Sequence, residues 1–267
     1  EGSGDAAEAA GDPRVVVVRH AENRGVGGAV VTGYETALDL GADIVVTMDG
    51  DGQMDPTLLP RFVDALASGR ADYAKGNRFA DIRALKAMPH GRLFGNSMLS
   101  FAIKAASGYW SMMDPTNGYT AITRETLERL DRDRLARRYF FESDMLIRLN
   151  VTRAVVEDIP MPARYGDEVS SLSIPRVLMD FPPRILRGFL KRLVLRYFVY
   201  DFNMGSLYLL TGLPLVLFAV IFGLIEWRAS VETGVPRSAG TVMLVGLPLI
   251  LGFQLLLQAV GVDMANE

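Results

Sequence analysis

Three carboxylates crowd into seven residues of the stretch VVTMDGDGQMDP, Val45 to Pro56: Asp49, Asp51 and Asp55. The apolar run before them reads as a buried strand, so the acids gather at a strand end. Like charges that close repel, and a divalent cation, basic neighbours or plain water must offset them. Gly50 separates Asp49 from Asp51, and Gly52 and Gln53 follow. In open α/β sheets ligands bind beyond the carboxyl ends of strands, where glycine lets the backbone bend close to them. Hard carboxylate oxygens suit Mg2+ or Mn2+, ions that retain water and bridge to substrate phosphates. Such an ion neutralises a leaving diphosphate by Lewis-acid assistance. Asp49 and Asp51 are therefore the candidate metal ligands, and Gln53 is placed to touch the ion or the diphosphate, or simply to form the turn. Asp55, directly before Pro56, reads as the N-cap of the next helix.

Around this stretch, short apolar runs alternate with longer helical patterns. RVVVV (Arg14 to Val18) and DIVVTMD (Asp43 to Asp49) read as buried strands. Between them, ENRGVGGAVVTGYETALDLG is a Gly-rich turn opening a helix that ends near Gly41. DPTLLPRFVDALASG is a helix, ADYAKGNRF a strand leading into a loop, and GRLFGNSMLSFAIKAASG a helix. NGYTAITRETLERL is a strand and then a helix, FFESDMLIRLNV a helix, and AVVEDIPMPARYG a strand ending in a loop. This alternation predicts an α/β layer architecture with a mainly parallel sheet over residues 1–166.

After Gly166 the character changes. Within residues 167–203, IPRVLMDFPPRILRGFLKRLVLRYFVYDF sets arginine and lysine against Leu, Phe and Tyr at helical spacing. That pattern suits amphipathic helices lying in a headgroup layer, with Pro182 and Pro183 separating two of them. No charged residue occurs from Met204 to Ile225, nor from Ser238 to Val262. A helix crosses the hydrocarbon with roughly 20 apolar residues. Region 204–262 is thus expected to hold two spans, at about 204–225 and 239–262, joined by the charged loop EWRASVETGVPR. Arg184, Arg187, Lys191, Arg192 and Arg196 precede the first span, whereas Arg228 and Arg237 in the loop are offset by Glu226 and Glu232. The positive-inside rule then places the large N-terminal part in the cytoplasm and returns the C-terminus to the same side.

The formal charge of −3 gives no reason to expect nucleic acid as a partner. The absence of cysteine removes disulfides, thiolate catalysis and cysteine-based zinc sites. His20 and His90 are the two imidazoles, too few for a histidine-rich metal site. No signal peptide is evident, and the chain begins without methionine, at EGSGD, as a fragment would.

MDGDGQMDP resembles the Asp-x-Asp region of family 2 glycosyltransferases, which have the Rossmann-like glycosyltransferase-A fold. ENRGVGGAVVTGYETA is similar to the Asn-x-Gly-x-Gly segment that precedes this motif, near the nucleotide. GNRF, RLFGNSML and DPTNGYTAI look like the segments that follow it in polyprenyl-phosphate sugar synthases of the dolichol-phosphate mannose synthase type. The hairpin after the domain resembles bacterial members that charge undecaprenyl phosphate with glucose or a related sugar. Family members open with a strand ending in a Pro-x-x-Asn-Glu-like motif and a second ending in a DDGS-like turn. EGSGD resembles the tail of the latter, so the resemblance implies an N-terminally truncated chain.

The resemblance implies a metal-dependent, inverting transferase that moves a sugar from a nucleotide diphosphate donor to a polyprenyl phosphate, undecaprenyl or dolichyl. It implies a multi-pass protein of the cytoplasmic membrane with its catalytic domain facing the cytoplasm. Asn23, Gly25 and Gly27 would border the nucleotide. A lipid phosphate is already ionised at neutral pH, so cations, not a base, are what it needs, and arginine presents phosphate a bidentate fork. Arg78, Arg92 and Arg164 each match by position a basic residue that contacts the acceptor phosphate. Asp114 falls near the donor sugar or those arginines. Glu142, with Asp144, matches the acidic pair where hydroxyl-directed relatives keep a base, and here it becomes an arginine-positioning group. Lys75 and Lys104 read as surface residues and His90 as structural. A homo-oligomer is left open. So are two other readings: a transferase that extends a cell-surface glycan at a hydroxyl, for which no Gln-x-x-Arg-Trp-like motif is present, and a catalytically incomplete protein that binds nucleotide sugars.

Overall fold

The computed structural model describes residues 2–80, 90–162 and 174–266. They form two compact units, Glu1–Phe189 and Leu190–Glu267.

In the first unit the described helices are α1 (Ser3–Ala9), α2 (Gly25–Asp39), α3 (Leu59–Ala67), α4 (His90–Ser107), α5 (Arg124–Arg129) and α6 (Phe141–Val151). The strands are β1 (Ile44–Thr47), β2 (Tyr73–Asn77), β3 (Thr120–Thr123) and β4 (Val156–Pro160), in the spatial order β1-β3-β2-β4. Caps end the helices where side-chain chemistry predicts: Asp55 accepts the Thr57 N–H at 3.0 Å ahead of a 3-10 turn that leads into α3.

The sheet is not mainly parallel. β3 is antiparallel to both β1 and β2, and among the described strands the one parallel pairing is β2 with β4. The reversal has a local cause. The Asp114–Gly118 segment is fastened at the carboxyl end of β2, where Asn117 Nδ2 donates to Gly76 O at 2.8 Å. The chain therefore enters β3 from that end and must run back beside β2.

Alternation along the strands sorts the two cores. Val45, Ile122, Tyr73 and Val156 stand in register on one face and pack with Tyr34, Ile103, Leu127, Met145 and Leu146. Val46, Ala121 and Ala74 point the other way, to Phe62, Ala65, Leu66 and Tyr119. One step further along the first face the row becomes polar: Thr47, Thr120, Lys75 and Asp158 cross all four strands in register. That row marks where the core stops and a site begins.

RVVVV is not a strand. Val15, Val16 and Val18 are exposed, and no described strand pairs with them. β-Branched residues favour a strand only where a neighbour completes the ladder. The diproline does not separate two helices either: α7 (Ile174–Val194) runs through Pro182 and Pro183. Phe181, Ile185 and Phe189, spaced by four, pack against Phe140 and Ile147. Their burial, at roughly 1–2 kcal/mol each, opposes the loss of about 3 kcal/mol that each interior proline imposes.

In the second unit, α8 (Met204–Thr233) and α9 (Ala239–Ala265) are long and apolar enough to cross a membrane. Their outward leucines, isoleucines and valines are exposed, as lipid-facing side chains would be. These helices support membrane association. Helix α8 continues through Glu226–Thr233, which the sequence suggests as part of the loop, and stops at Gly234 with φ 66°. Gly212 meets Gly252 and Gly223 meets Val245, so the two helices pack antiparallel through small residues. At the base of this unit Arg192, wholly buried, is held bidentately by Asp263 at 2.7 and 2.9 Å, and Tyr197 Oη donates to the same carboxylate at 2.7 Å.

Candidate active site

Asp49 follows β1 and Gly118 precedes β3, so the pairing of these strands brings the two together. A Cβ on Gly118 would lie 2.9 Å from Asp49 Oδ2, and only glycine leaves that carboxylate its room. The turn after Asp49 is tight: Gly52 has φ 75°, and Asp51 Oδ1 accepts the Gln53 N–H at 2.9 Å. Burial pushes the Asp49 carboxyl up, and the charge of Asp51 pushes it further. Two acids that repel at one strand end are a site that a cation would relieve.

Among the described residues no three acidic or imidazole side chains converge as a metal cage. The donor set nonetheless fits Mg2+ or Mn2+. These ions bind through one or two carboxylates and take their remaining ligands from water and substrate phosphate, whereas zinc or calcium would demand more protein ligands.

Arg78 leaves the end of β2 and meets Asp114. Its Nε donates to Asp114 Oδ2 at 2.7 Å and its terminal nitrogen to Oδ1 at 3.0 Å, and its own backbone N–H adds a third bond at 3.2 Å. Asp114 is wholly buried while the guanidinium keeps a third of its surface. The carboxylate thus orients a partly exposed guanidinium, a group suited to holding an anion.

Lys75 was expected at the surface, yet it is wholly buried. Its Nζ donates to the carbonyl of Asn117. Burial pushes the ammonium down to about 8 against the opposing pull of Glu142, Asp114 and Asp158. Glu142, at the first turn of α6, is itself pushed up by burial; Lys75 opposes that shift and Asp49 adds to it. Asp158 accepts from Asn77 Nδ2 at 3.0 Å and the Met113 N–H at 2.8 Å, and burial pushes it up as well. Its Oδ1 has no hydrogen-bond partner among the described residues. Lys75 and Asp158 are the members of this cluster that sequence reasoning missed. The signal was present: period-two alternation in YAKGN puts Lys75 on the inward face of Tyr73.

A pH experiment tests this environment. Because burial brings the folded ammonium down to about 8, below the ordinary lysine value of 10.5, the unfolded chain holds more protons between those values and stability rises with pH. From pH 7.5 to 9.5 Lys75 is expected to add about 2 kcal/mol to the unfolding free energy. Denaturant unfolding of the full chain beside Lys75→Met at both pH values isolates this gain. Equal slopes with pH in the two proteins would refute it.

Not every expected site residue joins the cluster. Asn23 Oδ1 accepts the Gly25 N–H at 2.8 Å beside a cleft lined by Glu22, Arg24, Arg137 and Arg138. Gly25 (φ 76°) and Gly27 press against the backbone of Ala136 and Arg137, which gives both glycines a packing reason. A Cβ on Gly27 would run into the Ala136 carbonyl and stand 2.7 Å from Phe141 Cδ2. Gly27→Ala is accordingly expected to cost about 3 kcal/mol of stability, measurable as a drop in the urea midpoint. Arg92 lies in α4 but its side chain is outside the described residues, and Arg164 falls outside them altogether.

Over part of its length this chain is similar to known proteins. A UDP-N-acetylglucosamine–dolichyl-phosphate N-acetylglucosaminyltransferase of Methanococcus voltae is 32% identical over 154 residues, 58% of this chain and 61% of that protein. An undecaprenyl-phosphate mannosyltransferase of Micrococcus luteus is 31% identical over 164 residues, 60% of this chain and 66% of that protein. A polyprenol monophosphomannose synthase of Mycolicibacterium smegmatis is 33% identical over 162 residues, 59% of this chain and 60% of that protein. The chain therefore spans about six tenths of the length of the curated relatives it matches. Residues 2–131 match the family model described as Glycosyl transferase family 2. That segment, which contains the acid pair, the Arg78–Asp114 clamp and the reversed strand joining them, is thus similar to glycosyl transferase family 2.

Proposed function

We propose that the protein transfers a sugar from a nucleotide diphosphate sugar to a polyprenyl phosphate, with inversion, at the cytoplasmic face of a membrane. One observation carries this reading: a single segment, Asp114–Gly118, holds Arg78 at one end and abuts Asp49 at the other. Two anion-handling groups are thereby built on one support, as joining a diphosphate donor to a phosphate acceptor requires. Relatives named for dolichyl-, undecaprenyl- or polyprenol-linked phosphates match about six tenths of this chain.

In this reading Asp49 and Asp51, with Gln53 beside them, hold Mg2+ or Mn2+, which when bound neutralises the departing diphosphate. Arg78, aimed by Asp114, grips the acceptor phosphate together with Arg92 and Arg164. A phosphate oxygen attacks the anomeric carbon opposite the leaving group; that C–O bond forms as the bond to the donor diphosphate breaks, and the nucleoside diphosphate departs with the electron pair. No proton moves, since the attacking oxygen is already ionised, so Glu142 is not needed as a base. Asn23, Gly25 and Gly27 border the nucleotide. The catalytic part is residues 1–166, residues 167–203 lie in the headgroup layer, and two spans within 204–262 anchor the chain with its cationic flank inside.

The test supplies membranes containing the chain and undecaprenyl phosphate with labelled UDP-glucose, GDP-mannose or UDP-N-acetylglucosamine. A labelled lipid that is acid-labile and vanishes with EDTA is expected from at least one donor. No labelled lipid with any of them would refute the proposal.

A further inference from the structure

We infer that Lys75 is a positioning residue for the transfer, acting through the Asn117 carbonyl to hold the Asp114–Gly118 segment between the two halves of the site. The inference rests on the transferase reading above. The bonds converge on one short stretch. Lys75 Nζ donates to Asn117 O, Asn117 Nδ2 donates to Gly76 O at 2.8 Å, and the Gly76 N–H donates to Tyr119 O at 2.8 Å. Asn117 Oδ1 in turn accepts the Tyr119 N–H at 3.0 Å. The residues three before and one after Asn117 are Asp114, which orients Arg78, and Gly118, which abuts Asp49. A shift of Asn117 therefore moves the acceptor clamp and the wall of the acid pair together.

A lysine is a costly way to fill this space. A wholly buried ammonium loses its hydration, and a methionine of similar length would pack without that penalty. What an apolar residue lacks is a donor for the Asn117 carbonyl and a charge that Glu142, Asp114 and Asp158 can face across the polar row. The bond to Asn117 ties β2 to the Asp114–Gly118 segment, while the charges of Glu142, Asp114 and Asp158 favour the ammonium there.

The experiment uses the full chain in membranes, with whichever sugar nucleotide labels undecaprenyl phosphate. Lys75→Met is expected to lower kcat about 100-fold at saturating donor and acceptor, because displacement of reacting groups by an ångström has that effect. Lys75→Gln, which returns a donor toward Asn117 without the charge, is expected to recover about tenfold of the loss. A merely structural lysine gives a different result: the unfolding temperature falls while kcat, measured well below it, stays within about threefold of the unmodified chain. That outcome, or loss of the folded state in both variants, overturns the inference. An unmodified chain that labels no lipid overturns the transferase reading and this inference with it; normal labelling by both variants overturns the inference alone.

Discussion

Asp49→Asn is expected to lower sugar transfer roughly a thousandfold while slightly raising the unfolding temperature. The two effects have one origin. In the unliganded protein the ionised form of Asp49 is disfavoured by desolvation and by the charge of Asp51. Its folded value is raised above the ordinary one, so the ionised group costs stability at neutral pH and asparagine removes that cost. The same charge is what would hold the divalent ion against the donor diphosphate. Lewis-acid stabilisation of a departing diphosphate is worth about 4 kcal/mol, which is about three decades in rate. Transfer assays and thermal unfolding on the same preparation separate the two. A variant that loses stability along with activity would mean that Asp49 serves the fold, and full activity would remove the metal from the mechanism.

Breaking the clamp between Arg78 and Asp114 is expected to hurt unequally according to which partner is removed. Asp114 is wholly buried and Arg78 one-third exposed. Arg78→Ala leaves the carboxylate without its guanidinium bonds in a site that water does not reach, at a cost of about 3 kcal/mol. Lys75 remains nearby as partial compensation, which keeps the cost at the lower end for a broken buried pair. Asp114→Ala leaves a cation that can turn toward water and still reach Thr116 Oγ1, 3.4 Å away, so about 1–2 kcal/mol is expected. Activity follows a different order. Both variants are expected to raise the KM for the acceptor phosphate, Arg78→Ala by about 100-fold and Asp114→Ala by about tenfold, because the second keeps the charge and loses only its aim. Urea midpoints and acceptor titrations at fixed donor check both orders. A larger stability loss for Asp114→Ala would contradict the burial asymmetry on which the prediction stands.

Local chemistry alone determined a good deal of this protein. The acids at the end of β1, the Asp55 cap before α3, and the two long apolar helices are all written in neighbouring residues. A cap, a strand end and a membrane-length run each depend on interactions within a few positions of the chain. The family resemblance, not local chemistry, put Arg78 and Asp114 near one site, and it did not show that they touch.

Direction and neighbours were decided only in three dimensions. TAIT reads identically as a parallel or an antiparallel strand, since period-two alternation specifies faces and not partners. The fastening of Asn117 at the end of β2 settled the choice, and with it a sheet in which two of the three pairings are antiparallel. RVVVV has strand composition and no described partner. The prolines at 182 and 183 have breaker chemistry, and the apolar row from Phe181 to Phe189 overrode it by burial. Lys75 is the sharpest case. A lysine belongs at the surface unless counter-charges meet it, and those counter-charges come from segments far apart in the chain. Electrostatic stabilisation of a buried ion depends on where distant residues arrive, and that is information a linear pattern does not hold.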